Sequence, residues 1–87
     1  MLKELKNRLA ITWSDSGINE KLQALTEESK EALNYLIGVE LDYSKPENRE
    51  LLFNRIRYAY NNALEFFEEN FHSEITRIQL MEGVKKL

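Results

Sequence analysis

Residues 44–80 read SKPENRELLFNRIRYAYNNALEFFEENFHSEITRIQL, and this stretch decides the fold. Ser44-Lys45-Pro46-Glu47 at its head has the S-x-x-E pattern of a capping box. In that motif the Ser44 hydroxyl accepts from the Glu47 N–H and the Glu47 carboxylate accepts from the Ser44 N–H. Pro46 falls in the first turn, where its missing N–H costs nothing. Apolar or aromatic residues then recur at Leu52, Ile56, Tyr60, Ala63, Phe67, Phe71, Ile75 and Ile78. Steps of three and four specify a helix and exclude a strand. Neither Gly nor Pro interrupts the pattern before Gly83.

At 100° per residue, Leu52, Phe53, Ile56, Ala59, Tyr60, Ala63, Leu64, Phe67 and Phe71 share one arc of roughly 120°. Phe66 lies at its edge, and Leu51 and Tyr58 fall outside it near Arg55 and Asn62. Apolar positions beyond one buried face predict a second, intermolecular face. Length points the same way. An unbroken helix over residues 45–80 would run about 50 Å at 1.5 Å per residue, against a radius of gyration of about 12 Å for a domain of this size. A break is therefore expected at Asn70-Phe71-His72-Ser73, where Asn and Ser can cap. A shorter helix over residues 73–82 follows, and residues 83–87 are expected to be a mobile tail.

Upstream, Leu2, Leu5, Leu9 and Ala10 give a short amphipathic helix over residues 2–10, with Lys3, Lys6 and Arg8 outward. Ser14-Asp15-Ser16-Gly17 reads as a loop, and Trp13 is expected to lid the core. Leu22, Leu25, Ser29, Ala32, Leu33 and Leu36 stripe a second helix over residues 18–37, which Gly38 ends at C′. The short connection through Tyr43 makes the second and third helices antiparallel neighbours. The expected fold is thus all-α, a small bundle of three to four helices (about 2–10, 18–37, 45–70 and 73–82) dominated by a long third helix. All 87 residues form one domain.

Composition narrows the function. A chain of this length buries roughly 60–65% of its surface and is marginal alone. With no cysteine and one histidine, disulfides are excluded and a zinc site is not expected, which leaves association as the compensation. A net charge of −3 argues against a general nucleic-acid binder. No uncharged run approaches the length of a membrane span. The first residues, Met1-Leu2-Lys3-Glu4-Leu5-Lys6, lack the apolar centre of a signal peptide, so synthesis without secretion is expected.

Charge alternates in blocks: +2 over residues 1–13, −5 over 15–42, +2 over 45–57, −4 over 65–74 and +2 over 77–87. Opposite blocks on neighbouring copies would suit a head-to-tail contact.

Catalytic patterns are weak. His72 has Glu68, Glu69 and Glu74 nearby, but one His among abundant Glu is a poor metal set. Ser73 beside His72 is no triad, since adjacent helical residues point apart. The glycines at 17, 38 and 83 are isolated and form no phosphate loop. The expectation is a protein without catalytic, cofactor or metal site. Arg49, Arg55 and Arg57 interleaved with Tyr58 and Tyr60 could track a nucleic-acid backbone, but Glu47 and Glu50 dilute them. A DNA-associated regulator, or a helical module for a single protein partner, is the alternative class. A gel shift at physiological salt separates the regulator from the rest.

The run Arg57-Tyr58-Ala59-Tyr60-Asn61-Asn62-Ala63-Leu64-Glu65-Phe66-Phe67-Glu68-Glu69-Asn70-Phe71, followed by Ser73-Glu74-Ile75 and Ile78-Gln79-Leu80, resembles the signature segment of small phage head–tail connector (adaptor, head-completion) proteins. The upstream order is similar too: a short first helix, Gly17-Ile18, a helix to Ile37 and a turn through Asp42. The resemblance implies a structural virion protein that is not an enzyme. Its α-helical subunits would assemble into a ring, usually dodecameric, beneath the portal, and subunits of such rings can be monomeric before assembly. The ring would extend the DNA channel without sequence-specific binding and carry a stopper or tail protein. Leu51, Arg55, Arg57, Tyr58, Glu65, Phe66 and Glu69 are the residues expected at subunit or partner contacts.

Overall fold

The computed structural model describes residues 2–11 and 16–85, with side chains described for 2–11 and 17–83. Five α-helices and one 3-10 turn make up the described residues, with no strand: α1 (Leu2–Arg8), α2 (Ser16–Ile37), α3 (Pro46–Tyr60), the 3-10 turn (Leu64–Phe66), α4 (Phe67–Asn70) and α5 (His72–Lys85). The all-α expectation holds. The dominant third helix does not: α2 is the longest element at 22 residues, and α3 has 15.

α3 stops at Tyr60 because Asn61-Asn62 supplies a C-terminal cap that the apolar spacing conceals. Asn62 sits in the left-handed region at φ 56°. The Ala63 N–H donates to the Tyr58 carbonyl at 2.8 Å and the Asn62 N–H to the Ala59 carbonyl at 3.2 Å. This pair of bonds is a Schellman motif, and Asn is the residue after Gly that best tolerates that conformation. The expected break near Asn70–Ser73 also exists, as a single-residue turn at Phe71 between α4 and α5. It is the second interruption.

The same device closes α1. Ala10 has φ 58°, with Ile11 N–H donating to Lys6 and Ala10 N–H to Asn7 at 2.9 and 3.2 Å. α1 therefore ends at Arg8 and not at residue 10. Gly38, at φ 95°, ends α2 as expected, its N–H 2.8 Å from the Asn34 carbonyl.

Other boundaries move as well. α2 begins at Ser16, so Ser16 and Gly17 are helical and not loop; Ser14, Asp15 and the Trp13 lid lie outside the described residues. α5 runs to Lys85, so most of the expected tail is helix, and residues 86–87 are not described.

The capping box is absent. Lys45 is the N-cap of α3 and makes no side-chain cap hydrogen bond. Ser44 instead turns back on Asp42, whose Oδ1 accepts from both its N–H (3.0 Å) and its hydroxyl (2.6 Å). An Asx turn two residues upstream outcompetes the box for the serine. Pro46 does open the helix as anticipated.

Side-chain bonds give the order of the bundle. Arg55 on α3 meets Ser29 on α2, and Tyr43 before α3 meets Lys30 and Asn34 on α2, so the two helices are antiparallel. Gln79 on α5 donates to the Leu36 carbonyl at the end of α2, at 3.0 Å. α2, α3 and α5 thus form a three-helix bundle, with α1 packed against α2 and tied to α3. Leu5, Leu22, Leu33, Leu52 and Ile56 are the fully buried centre. The molecule is elongated, 46 × 24 × 17 Å, with a radius of gyration of 13.5 Å.

Candidate interaction surface

Leu51, Leu52 and Phe53 are all buried. Three successive helical residues subtend about 200°, so α3 is enclosed from more than one side. Leu51 lies with Phe71 and Ile78 along a cleft toward α5, and Phe53 lies under the Arg8 guanidinium of α1, 4.9 Å from ring centroid to Cζ. The break after Tyr60 is the cause. It returns the chain onto the same core, with Phe71 and Ile78 beside Leu51. Leu51 is consequently a core residue of this chain, and its position outside the main arc is explained without a second subunit.

Tyr58 is likewise engaged within the chain. Its ring meets Phe67 and Phe71 edge-on at 5.8 and 5.5 Å, and those two rings stack at 5.1 Å. Its hydroxyl accepts from Asn70 Nδ2 at 3.0 Å. Edge-to-face packing of this kind adds roughly 0.5–1.5 kcal/mol per pair beyond burial. Phe67 is buried and half-buried Phe71 closes the cluster. The apolar spacing that predicted one long helix records, after residue 60, a fold-back onto the same core.

Arg55 is half-buried on the α2 side. Its Nη1 donates to the buried Ser29 hydroxyl at 2.8 Å. Burial pulls its pKa down, opposed by the carboxylates of Glu28 and Glu68. The residue is therefore a strut between α2 and α3, and a cleft of about 580 Å³ beside it is lined also by Glu28, Glu31, Tyr35 and Glu68.

Three anticipated contact residues besides Arg57 remain outward. Phe66 is 52% exposed on the 3-10 turn, and Glu65 and Glu69 are exposed beside it. Arg57 is exposed on α3, donating to Asn54 Oδ1 at 3.0 Å and lying 5.4 Å from the Tyr58 ring centroid. The sequence did not single out the exposed residues Tyr35 (91%), Leu80 (66%) and Met81 (42%), and Leu2, expected on the inner face of α1, is also exposed (37%). Leu80 was counted within the helical stretch, while Tyr35 sits on the outward face of α2 between buried Leu33 and Ile37.

Arg8 and Glu50 form a bidentate pair between α1 and α3, with distances of 2.7 and 2.6 Å. The hydrogen bond raises the Arg8 pKa and lowers that of Glu50. Being exposed, the pair contributes at most about 1 kcal/mol, but it fixes where the α1 guanidinium stands. Between α3 and α5 runs an open groove, lined at one end by Pro46, Ile78 and Met81 and at the other by Leu51, Phe71 and Arg77. Among the described residues no three His, Cys, Asp or Glu are grouped to hold a metal ion. No described helix is long and apolar enough to cross a membrane.

No protein-family model matches the chain, and no curated protein and no solved structure is significantly similar to it.

Proposed function

We propose that the chain is a structural subunit of a phage head–tail connector: an adaptor ring, dodecameric when assembled, that docks beneath the portal, extends the DNA channel and carries the stopper or tail protein. Its work is assembly, without catalysis or cofactor, at the head–tail junction of the virion. The reading rests on the likeness of residues 57–80 to the connector signature segment. The observation that supports it is apolar surface left over after folding: Tyr35, Phe66, Leu80 and Met81 stay exposed on three separate elements. Scattered exposed apolar residues are ordinary in a monomer; large ones on several sides of a 10.3 kDa chain suit a subunit with neighbours on more than one side.

The acidic block of residues 65–74 fits a wall past which DNA slides, since phosphate binding requires cations. Co-sedimentation with assembled portal rings of the same phage tests the role. The expected result is binding at a fixed subunit ratio, with no gel shift of duplex DNA at physiological salt. A DNA shift at that salt without portal binding would replace this reading with the regulatory one.

A further inference from the structure

Two surface features of this one chain are complementary to each other in charge. The first is a knob. Phe66 projects from the 3-10 turn with Glu65 and Glu69 exposed around it, and no Lys or Arg occurs from residue 58 to residue 76. The second is a socket between α1 and α3. Arg8 from α1 and Phe53, Asn54 and Arg57 from α3 line a cleft of about 220 Å³. The cleft is open, with buried Phe53 at its floor and the polar side chains of Arg8, Asn54 and Arg57 around it, and its volume exceeds the roughly 150 Å³ of a cavity that holds benzene.

The socket's cations are already in place. Glu50 holds the Arg8 guanidinium with two hydrogen bonds while it lies over the Phe53 ring. Asn54 accepts from Arg57, whose guanidinium also rests on Tyr58. Guanidiniums fixed in this way lose little entropy on meeting a carboxylate, and their free N–H groups favour it bidentately. An aromatic ring entering beside them gains a cation–π contact as well.

We propose that Phe66 of one copy seats in the Arg8–Phe53–Arg57 cleft of a second copy, with Glu65 and Glu69 paired to its guanidiniums. The contact joins two different patches. It is therefore heterologous, each copy keeping a free knob and a free socket, and it propagates into a closed ring or an open filament according to the rotation between copies. As the junction between neighbours in a connector ring it rests on the function proposed above. Its test needs no portal, so failure of the contact and failure of the role are separate outcomes.

The chain has no cysteine, so crosslinks can be placed without background. Glu4→Cys, exposed one turn before Arg8 on α1, marks the socket and Glu68→Cys, exposed beside Glu69, marks the knob, so that no residue of the contact is replaced. The two single variants, distinguished by mass, are mixed at high concentration and oxidised. The socket–knob product is expected to exceed both symmetric products well beyond the statistical ratio. A statistical mixture, or a predominant socket–socket or knob–knob product, overturns the proposal. Adding Arg57→Glu to the socket chain is expected to lower the crosslink about tenfold, the factor set by one charge-assisted hydrogen bond. Adding Glu69→Arg to the knob chain then restores it; a double reversal that stays uncrosslinked also overturns the pairing.

Discussion

Among the described residues three hold the left-handed conformation at helix ends, Ala10, Gly38 and Asn62, and each chemistry carries a different cost. Gly38 occupies φ 95° freely, with no atom within 4 Å of where a Cβ would stand. Gly38→Ala is expected to cost about 1 kcal/mol from backbone strain alone. Ala10 bears that strain already at φ 58°. Ala10→Gly is expected to raise stability by up to about 1 kcal/mol, or a Tm gain of roughly 4–8 °C for a chain of this size. Thermal melts of both variants check the pair, and an Ala10→Gly chain that melts lower than the parent contradicts the strain argument. Tyr43 offers a pH readout. Its hydroxyl donates to Asn34 Oδ1 at 2.8 Å, and burial pushes its pKa up to about 12 from 10. A phenol whose pKa is higher folded than unfolded keeps its proton longer in the native state. Stability is therefore intact below pH 10 and falls as pH rises from 10 toward 12. Because the side chain is only half-buried, the loss is on the order of 1 kcal/mol after screening. Denaturant titrations across that window should show Tyr43→Phe with a shallower decline than the parent; parallel declines would remove burial as the cause.

At the level of elements, the sequence displayed more than it was possible to order. Helix spacing marked α2 and its Gly38 end correctly, and Pro46 marked the start of α3. Asn61-Asn62 carried the decisive signal for the end of α3, but the apolar spacing runs straight through it and conceals the αL cap. The serine of the apparent capping box was equally ambiguous, because Asp42 takes the Ser44 N–H that the box would give to Glu47. The candidate contact residues divided for the same reason. Arg57, Glu65, Phe66 and Glu69 stay outward, whereas Leu51 and Tyr58 are taken up by α5 and the aromatic cluster. A substitution separates these fates. Leu51→Ala should destabilise the isolated chain by about 2–4 kcal/mol, as removal of a buried leucine does. Phe66→Ala should leave it within about 0.5 kcal/mol, as surface changes do. Equal effects in a urea melt would mean that the fold-back of α5 is wrong. Phe67→Ala, in the centre of the ring cluster, should cost about 3–5 kcal/mol.

For the whole molecule, shape and charge decide what assembly can look like. An elongated helical chain with a cleft rimmed by Arg8 and Arg57 on α1 and α3 and an acidic block beyond residue 64 has the unlike surfaces that the proposed side-by-side contact requires. Opposite charges across an exposed contact make that joining salt-dependent, with a Debye length near 8 Å at physiological strength. Crosslinking between knob and socket should therefore weaken as salt rises, even though the buried core of each subunit is unaffected. Electron microscopy of portal rings incubated with excess protein tests the proposed place of this chain beneath a portal. A second, coaxial ring of helical subunits is expected on the tail-facing side of the portal. Portal rings that remain bare at saturating concentrations of folded protein would contradict it.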